Sequence, residues 1–281
     1  MKKIFALLMT CMLLLATGCG GDDKTSDNKE PVKVGTIKYL NVTENLFDNY
    51  LEKTAARMQQ EVEVRPTKHI FFDNMSSMLA ALQAKQIDSM STYYNVAEYL
   101  LAQDADKYKI VTEGIPKLSD SFCCAMLEKN SALKKEFDDA ISKMKSNGTL
   151  ANLVKTYITE ADLKNLPTVD VPNNPDAQTI KVAVTGDVPP LDYIHADGKP
   201  AGFNTAFLAE ISKLIGKNIE FVDIDSGARA AALTSEQVDV VFWAAVPLDD
   251  TIVPADFDKP EGVILTEPYF SAEIVHVQTK K

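Results

Sequence analysis

The sequence predicts an α/β protein of two lobes, each a mainly parallel sheet flanked by helices. Three observations carry this. Short β-branched runs alternate with amphipathic helical stretches, the pattern of strand-helix-strand-helix-strand units that build parallel sheets. The pattern occurs twice: V-K-V at 32–34 and L-Q-A-K-Q-I-D at 82–88 are matched by I-K-V at 180–182 and L-T-S-E-Q-V-D at 233–239. Between the two units, residues 161–179 carry Pro167, Pro172 and Pro175 with little periodicity, which marks an extended linker. At about 3.3 Å per residue that linker reaches roughly 60 Å. Ligands of open α/β sheets sit beyond the carboxyl ends of the strands, so two facing lobes make a cleft.

The chain opens with Lys2, Lys3 and an apolar run from Ile4 to Ala16. That run is too short to span a bilayer and reads as a signal peptide, residues 1–18. L-A-T-G-C at 15–19 resembles a lipobox, which makes Cys19 the expected lipidation site. Ala16 departs from the usual Leu three residues before the cysteine, and ordinary cleavage nearby is the other reading. Residues 19–31 are polar and charged and read as a flexible tether. No later stretch is apolar enough to cross a membrane. The rest is expected on the extracytoplasmic face, at the cell surface or in the periplasm.

The formal net charge is −11, and removing the signal takes two lysines and no acid. An acidic exported chain is a poor partner for nucleic acid. Of the four cysteines, Cys11 lies in the signal and Cys123 and Cys124 are adjacent. Strand neighbours point to opposite faces, so one of the pair is expected in the core. A strained disulfide between them is the other reading.

In the smaller lobe, residues 32–107, Val32–Gly35 is the first strand. Asn41 or Thr43 caps a helix with Phe47, Tyr50, Leu51, Thr54 and Met58 on one face. Glu61–Val64 follows as a strand, Asp73 or Asn74 caps a helix with Met75, Met78, Leu79 and Leu82 inward, and Ile87–Met90 is the third strand. Val96–Leu101 is a short helix. Residues 108–160 hold a strand at 122–130 and a helix with Leu133, Phe137, Ile141 and Met144 as its apolar stripe, stopped at Gly148. In the larger lobe, residues 180–281, Ile180–Val184 is a strand, and Gly186 with Pro189-Pro190 makes a rigid loop. Asp197-Gly198 is a turn, and Asn204 caps a helix that stops at Gly216. Strands follow at Asn218–Val222 and Val238–Phe242, with a helix at Arg229–Gln237 between them.

From residue 180 the order of parts resembles the family 3 solute-binding proteins, the amino-acid receptors of ABC importers. G-D-V-P-P-L at 186–191, D-G at 197–198, G-F-N at 202–204 and T-E-P-Y-F at 266–270 stand where that family has its own motifs. S-T-Y-Y-N-V-A-E-Y-L-L at 91–101 resembles a segment of its second lobe. L-K-K-E-F-D-D-A-I-S-K-M-K-S-N-G-T-L at 133–150 resembles the helices that end it. The usual end thus precedes the usual beginning, as in a circular permutant of one bilobed receptor of the periplasmic-binding-protein (Venus flytrap) type. A tandem of two independent domains is the alternative. On the permuted reading, residues 122–158 cross over to the larger lobe and the C-terminal strand runs through a hinge.

The resemblance implies a monomeric, lipid-anchored binding protein that captures a small polar solute, an amino acid or a relative, and delivers it to an ABC permease. It implies no cofactor, metal or catalysis. A ligand-sensing or orphan homologue with a degenerate cleft is the runner-up, and an enzyme on the same fold comes third. His69, His195 and His276 are isolated, and no P-loop, G-x-S-x-G or G-x-G-x-x-G is present. The family's carboxylate-binding Arg is missing from W-A-A-V-P-L-D-D-T at 243–251, and Tyr93 stands where its amine-binding Asp is expected. The ligand-binding candidates are therefore Tyr39, Asn41, Thr43, Tyr93, Tyr94, Asn95, Asp187, Leu191, Tyr193, Phe203, Arg229, Trp243 and Asp249. Arg229 is the substitute carboxylate partner, Trp243 a stacking surface, and Asp187 and Asp249 possible partners for a cation.

Overall fold

The computed structural model describes residues 30–58, 67–112, 118–247 and 256–280. The signal peptide, Cys19, most of the tether, the strand expected at Glu61–Val64 and Asp249 lie outside the described residues. Residues 31–281 form one compact unit.

Its frame is a ten-stranded mixed sheet whose two halves repeat one plan. In the first half, β1 (Val32–Ile37) runs parallel to β2 (Thr67–Phe72) on one side and β3 (Ser89–Tyr93) on the other. Helices α1 (Glu44–Met58), α2 (Met75–Gln83) and α3 (Tyr94–Gln103) connect or follow these strands. In α2, Asn74 accepts the Ser77 amide at 2.9 Å and so caps the helix, while Met75, Met78, Ala81 and Leu82 are buried. β4 (Tyr108–Val111) adds a strand beyond those the sequence pattern marks.

The chain then enters the second half along β5 (Ser119–Leu127), followed by α4 (Ser131–Ser146) and α5 (Thr149–Val154). Phe137, Ala140, Ile141 and Met144 are the buried stripe of α4. Residues 161–178 form no helix or strand. β6 (Thr179–Val184) leads through three short strands, β7 (Asp187–Val188), β8 (Asp192–Ile194) and β9 (Pro200–Ala201), into α6 (Phe203–Ile215). The residue at the N-cap of α6 is Gly202 rather than Asn204. Its φ of 101° and the backbone of Pro190 and Leu191, under 3 Å from where a Cβ would sit, leave room for glycine alone. Asn204 is buried in the first turn, where its Oδ1 accepts the Tyr269 hydroxyl at 3.3 Å. β10 (Asn218–Asp223) lies parallel to β6, and α7 (Arg229–Thr234) leads to β11 (Val240–Pro247) on its other side.

β5 joins this second half antiparallel to β11, with Val241 opposite Ala125, and the short β12 (Val263–Leu265) pairs with its other end. The last strand, β13 (Phe270–Thr279), belongs to both halves. Phe270–Glu273 pair with β5, and Ile274–Thr279 pair with β3 and β4. The strand finishes at the same end of the sheet where β1 begins, with β3 between them.

The main core runs under both halves. Met78, Leu82 and Met90 belong to the first, and Phe122, Phe137, Ile141, Phe207 and Phe242 to the second. Phe207 stacks on Tyr269 with ring centroids 4.1 Å apart. Cys123 and Cys124 are both free and buried rather than divided between core and surface, because α4 and α7 cover the two faces of β5.

Candidate functional site

The carboxyl ends of β1, β3 and β11 face one another, and the two halves are joined there by direct hydrogen bonds. Ser76 donates its amide (2.8 Å) and hydroxyl (3.0 Å) to Asp187 Oδ2 at the N-terminus of α2. The Ser226 amide donates to the Asp73 carbonyl at 2.8 Å, and Asn74 Nδ2 donates to Asp225 at 3.0 Å. The Asn41 amide donates to Asp258 at 2.8 Å. Next to Asp258, Phe257 lays its ring against Tyr39 and Tyr50, with centroids 5.6 and 5.3 Å away.

Between these contacts lies a mostly apolar cavity of about 60 Å³. Its walls include Thr36 and Tyr39 from the end of β1, Thr92 and Tyr93 from β3, Trp243 from β11, Arg229 at the start of α7, and Asp258. This is where the topology of open parallel sheets places ligands.

Arg229 is 4% exposed. Its guanidinium donates to the carbonyls of Ser226, Trp243 and Lys38 at 3.5, 3.4 and 3.4 Å. These are long for bonds from a charged donor, which run closer to 2.8 Å. Burial lowers its pKa, and the charge of Asp258 works against that. Asp258 is 3% exposed, and burial pushes its carboxyl up to about 7, against the pull of the Asn41 amide and Arg229. Asp120, 5% exposed at the start of β5, is pushed up to about 6 by burial, offset by the Tyr93 hydroxyl that donates to it at 2.9 Å. Burial, then Asp120, raises the Tyr93 and Tyr39 phenols, so both stay neutral donors.

Trp243 sits at a β-bulge between Phe242 and Ala244, with φ 72°. A bulky residue rarely adopts that backbone, and bulges re-aim side chains beside functional sites. Here the bulge turns the Trp243 carbonyl to Arg229 and sets its ring 5.6 Å from that of Tyr93.

The structure thus brings Tyr39, Tyr93, Arg229 and Trp243 together around one cavity. The other expected residues fall elsewhere. Leu191 and Phe203 are core residues, since the α6 entry loop folds inward. Tyr94 is exposed on α3, and Tyr193 is half-buried on β8. Asn95 is buried within α3, with its amide unpartnered. Thr43 Oγ1 accepts the Leu46 amide as a cap, and Asn41 takes part through its backbone. Asp187 bonds the opposite lobe rather than facing the cavity. Asp258, Asp120 and Thr36 were missed. Asp120 carried a weak signal, an acid in the short polar opening, S-D-S, of a strand that is apolar from Phe122 onward. Asp258 carried none, lying in an acidic loop. Among the described residues no cluster of His, Cys, Asp or Glu could hold a metal ion.

Residues 180–279 match the family of bacterial extracellular solute-binding proteins, family 3. The resemblance read from residue 180 onward is therefore to that family. None of the curated proteins compared matches the chain. Distant likenesses occur among solved structures. The ligand-binding component of an ABC-type import system from Staphylococcus aureus is 11% identical, with 89% of this chain and 66% of that one covered and a TM-score of 0.42. A periplasmic substrate-binding protein of an ABC transporter from Coxiella burnetii is 13% identical, covering 88% and 84%, at 0.39. A nutrient-binding protein from Burkholderia cenocepacia, bound to methionine, is 15% identical, covering 88% and 84%, at 0.39.

Proposed function

We propose that the protein is an extracytoplasmic solute-binding protein, anchored by a lipid on Cys19, that closes its two lobes on a small polar solute and delivers it to an ABC permease. The observation that carries this is Arg229: a buried guanidinium on the wall of an interlobe cavity, held by long bonds to carbonyls. A ligand carboxylate satisfies it with bidentate geometry. No covalent chemistry is required. The ligand bridges the lobes and shifts an open–closed equilibrium about the β13 crossing.

The chain is further read as a circular permutant of the bilobed receptor. Support comes from β5, α4 and α5 packing on the sheet of β6 and β11, and from β13 finishing at the end of the sheet where β1 begins.

A thermal-shift screen of small amino acids, amines and carboxylates tests the binding reading. A ligand selective for the folded state raises the melting temperature, and Arg229→Ala is expected to abolish the rise. A panel with no stabilising solute overturns the reading, and turnover of a hit overturns its non-enzymatic form.

A further inference from the structure

The cavity also constrains the other end of its ligand, given that it is a solute site. Its size comes first. At roughly 10–15 Å³ per water, 60 Å³ holds about four to six waters, or about 120–180 Å³ of ligand. That admits a compact molecule and no large side chain.

The lining comes second. Three aromatic rings, Tyr39, Tyr93 and Trp243, make up much of a mostly apolar wall. Several acceptors that a primary ammonium could use are already drawn upon. Asp258 takes the amides of Asn41 and Leu40. Asp120 accepts the Tyr93 hydroxyl, which leaves that ring richer in electrons. The Trp243 and Lys38 carbonyls take Arg229.

Charge comes third. Two buried acids, Asp258 on the wall and Asp120 hydrogen-bonded to Tyr93, stand against one buried guanidinium, Arg229, and with pKa values raised to about 7 and about 6 they bring partial negative charge beside the rings near neutral pH. A cation carrying N–H groups loses more hydration here than the wall returns. A methylated ammonium needs no acceptors, only ring faces and nearby negative charge. Thr36 Oγ1 is buried on the same wall without a partner, and its hydroxyl is free to join Arg229 on the ligand carboxylate.

We propose that the cleft takes a small N-methylated zwitterion of the betaine type, with its carboxylate on Arg229 and Thr36 and its methylated ammonium among Tyr39, Tyr93 and Trp243.

The test is calorimetry with glycine, N-methylglycine, N,N-dimethylglycine and N,N,N-trimethylglycine, together with 3,3-dimethylbutanoate, the uncharged-head isostere of the last. Affinity is expected to rise along the methyl series by about tenfold or more in total, and the isostere to bind about tenfold more weakly than trimethylglycine, the scale of a desolvated cation–π contact. Trp243→Leu should remove the preference for methylation. Tyr39→Leu, at a less buried position, tests the same point if the Trp243 variant does not fold. Glycine binding as tightly as trimethylglycine overturns the proposal, and so does the isostere binding equally well. If none of the series binds while another solute in the broad panel does, the proposal falls and the receptor reading stands. If no solute binds, both fall.

Discussion

The two halves of the sheet are built by the same device. In the first, the Lys33 amide donates to Asp88 Oδ2 at 2.8 Å and the Asp88 amide returns a bond to the Lys33 carbonyl at 2.9 Å. In the second, Lys181 and Asp239 make the same two bonds, both at 2.9 Å. The turn before each aspartate repeats as well. Lys85 and Glu236 both sit in the left-handed region, at φ 57° and 60°, and both donate to the carbonyl of the leucine three residues back. What differs is the cover. α6 is buried over most of its length and presses Phe207 on Tyr269, and α4 and α5 add a further layer. Among its residues with described side chains, α1 has none buried. The repeat sets the strand edges, and among the described residues the second half carries the more deeply buried helices.

This asymmetry can be broken by substitution. Phe207→Ala should cost about 3–5 kcal/mol of stability, the range for emptying a buried aromatic site. Phe47→Ala on α1 should cost much less, because its side chain is only half-buried. Urea denaturation of both variants measures the gap, and equal losses would mean the two lobes share their cover evenly.

The interlobe acids give the next effect. Asp258 has a folded pKa of about 7 against an ordinary 3.8. Its raised pKa means that the folded state binds the proton more tightly than the unfolded state. Stability therefore falls as pH rises from about 4 through 7. The groups facing Asp258 are Arg229, the amides of Leu40 and Asn41, and Asp120, which titrates in the same direction near 6. The melting temperature should drop by several degrees across that window, and Asp258→Asn should remove most of the slope. A rise in stability over the same range would contradict this assignment.

The repeated edge itself predicts matched losses. Asp88→Ala and Asp239→Ala each remove one charge-assisted bond to an amide and should cost about 1–2 kcal/mol, equally in the two halves if the device is equivalent. The smallest effect belongs to the turns. Lys85→Gly and Glu236→Gly relieve a left-handed residue, by up to about 1 kcal/mol once the extra freedom of unfolded glycine is counted. Thermal melts of the pair should move upward together or not at all.

Much of the frame was legible because it rests on local signals. The paired L-x-x-x-Q-x-D stretches announced the repeat, and Asn74 and Gly216 announced helix ends. Boundaries drifted where burial without pairing imitates a strand: Ile87 is buried, yet β3 starts at Ser89. β4 and β12 were missed because each exists only as a partner of a distant strand, at β13 and β5. The site was half legible for a related reason. Arg229, Tyr39, Tyr93 and Trp243 follow from topology, since they lie at strand ends or a helix start. Leu191 and Phe203 were drawn inward by a loop whose fold hangs on Gly202. Asp120 and Asp258 become site residues only when the lobes meet, and spacing along the chain cannot register that.

The last strand has a consequence for how the molecule comes into being. β13 comes later in the chain than the strands it pairs with, yet it lies in the interior of the sheet, with β5 on one side and β3 and β4 on the other. Until it arrives, β5 and β3 each present an unpaired edge, the feature that recruits strands from other chains. Contacts between segments far apart in the chain are also slow to form. A molecule cut ahead of β13 is thus a pair of half-sheets with open sides, and β13 is what seals it.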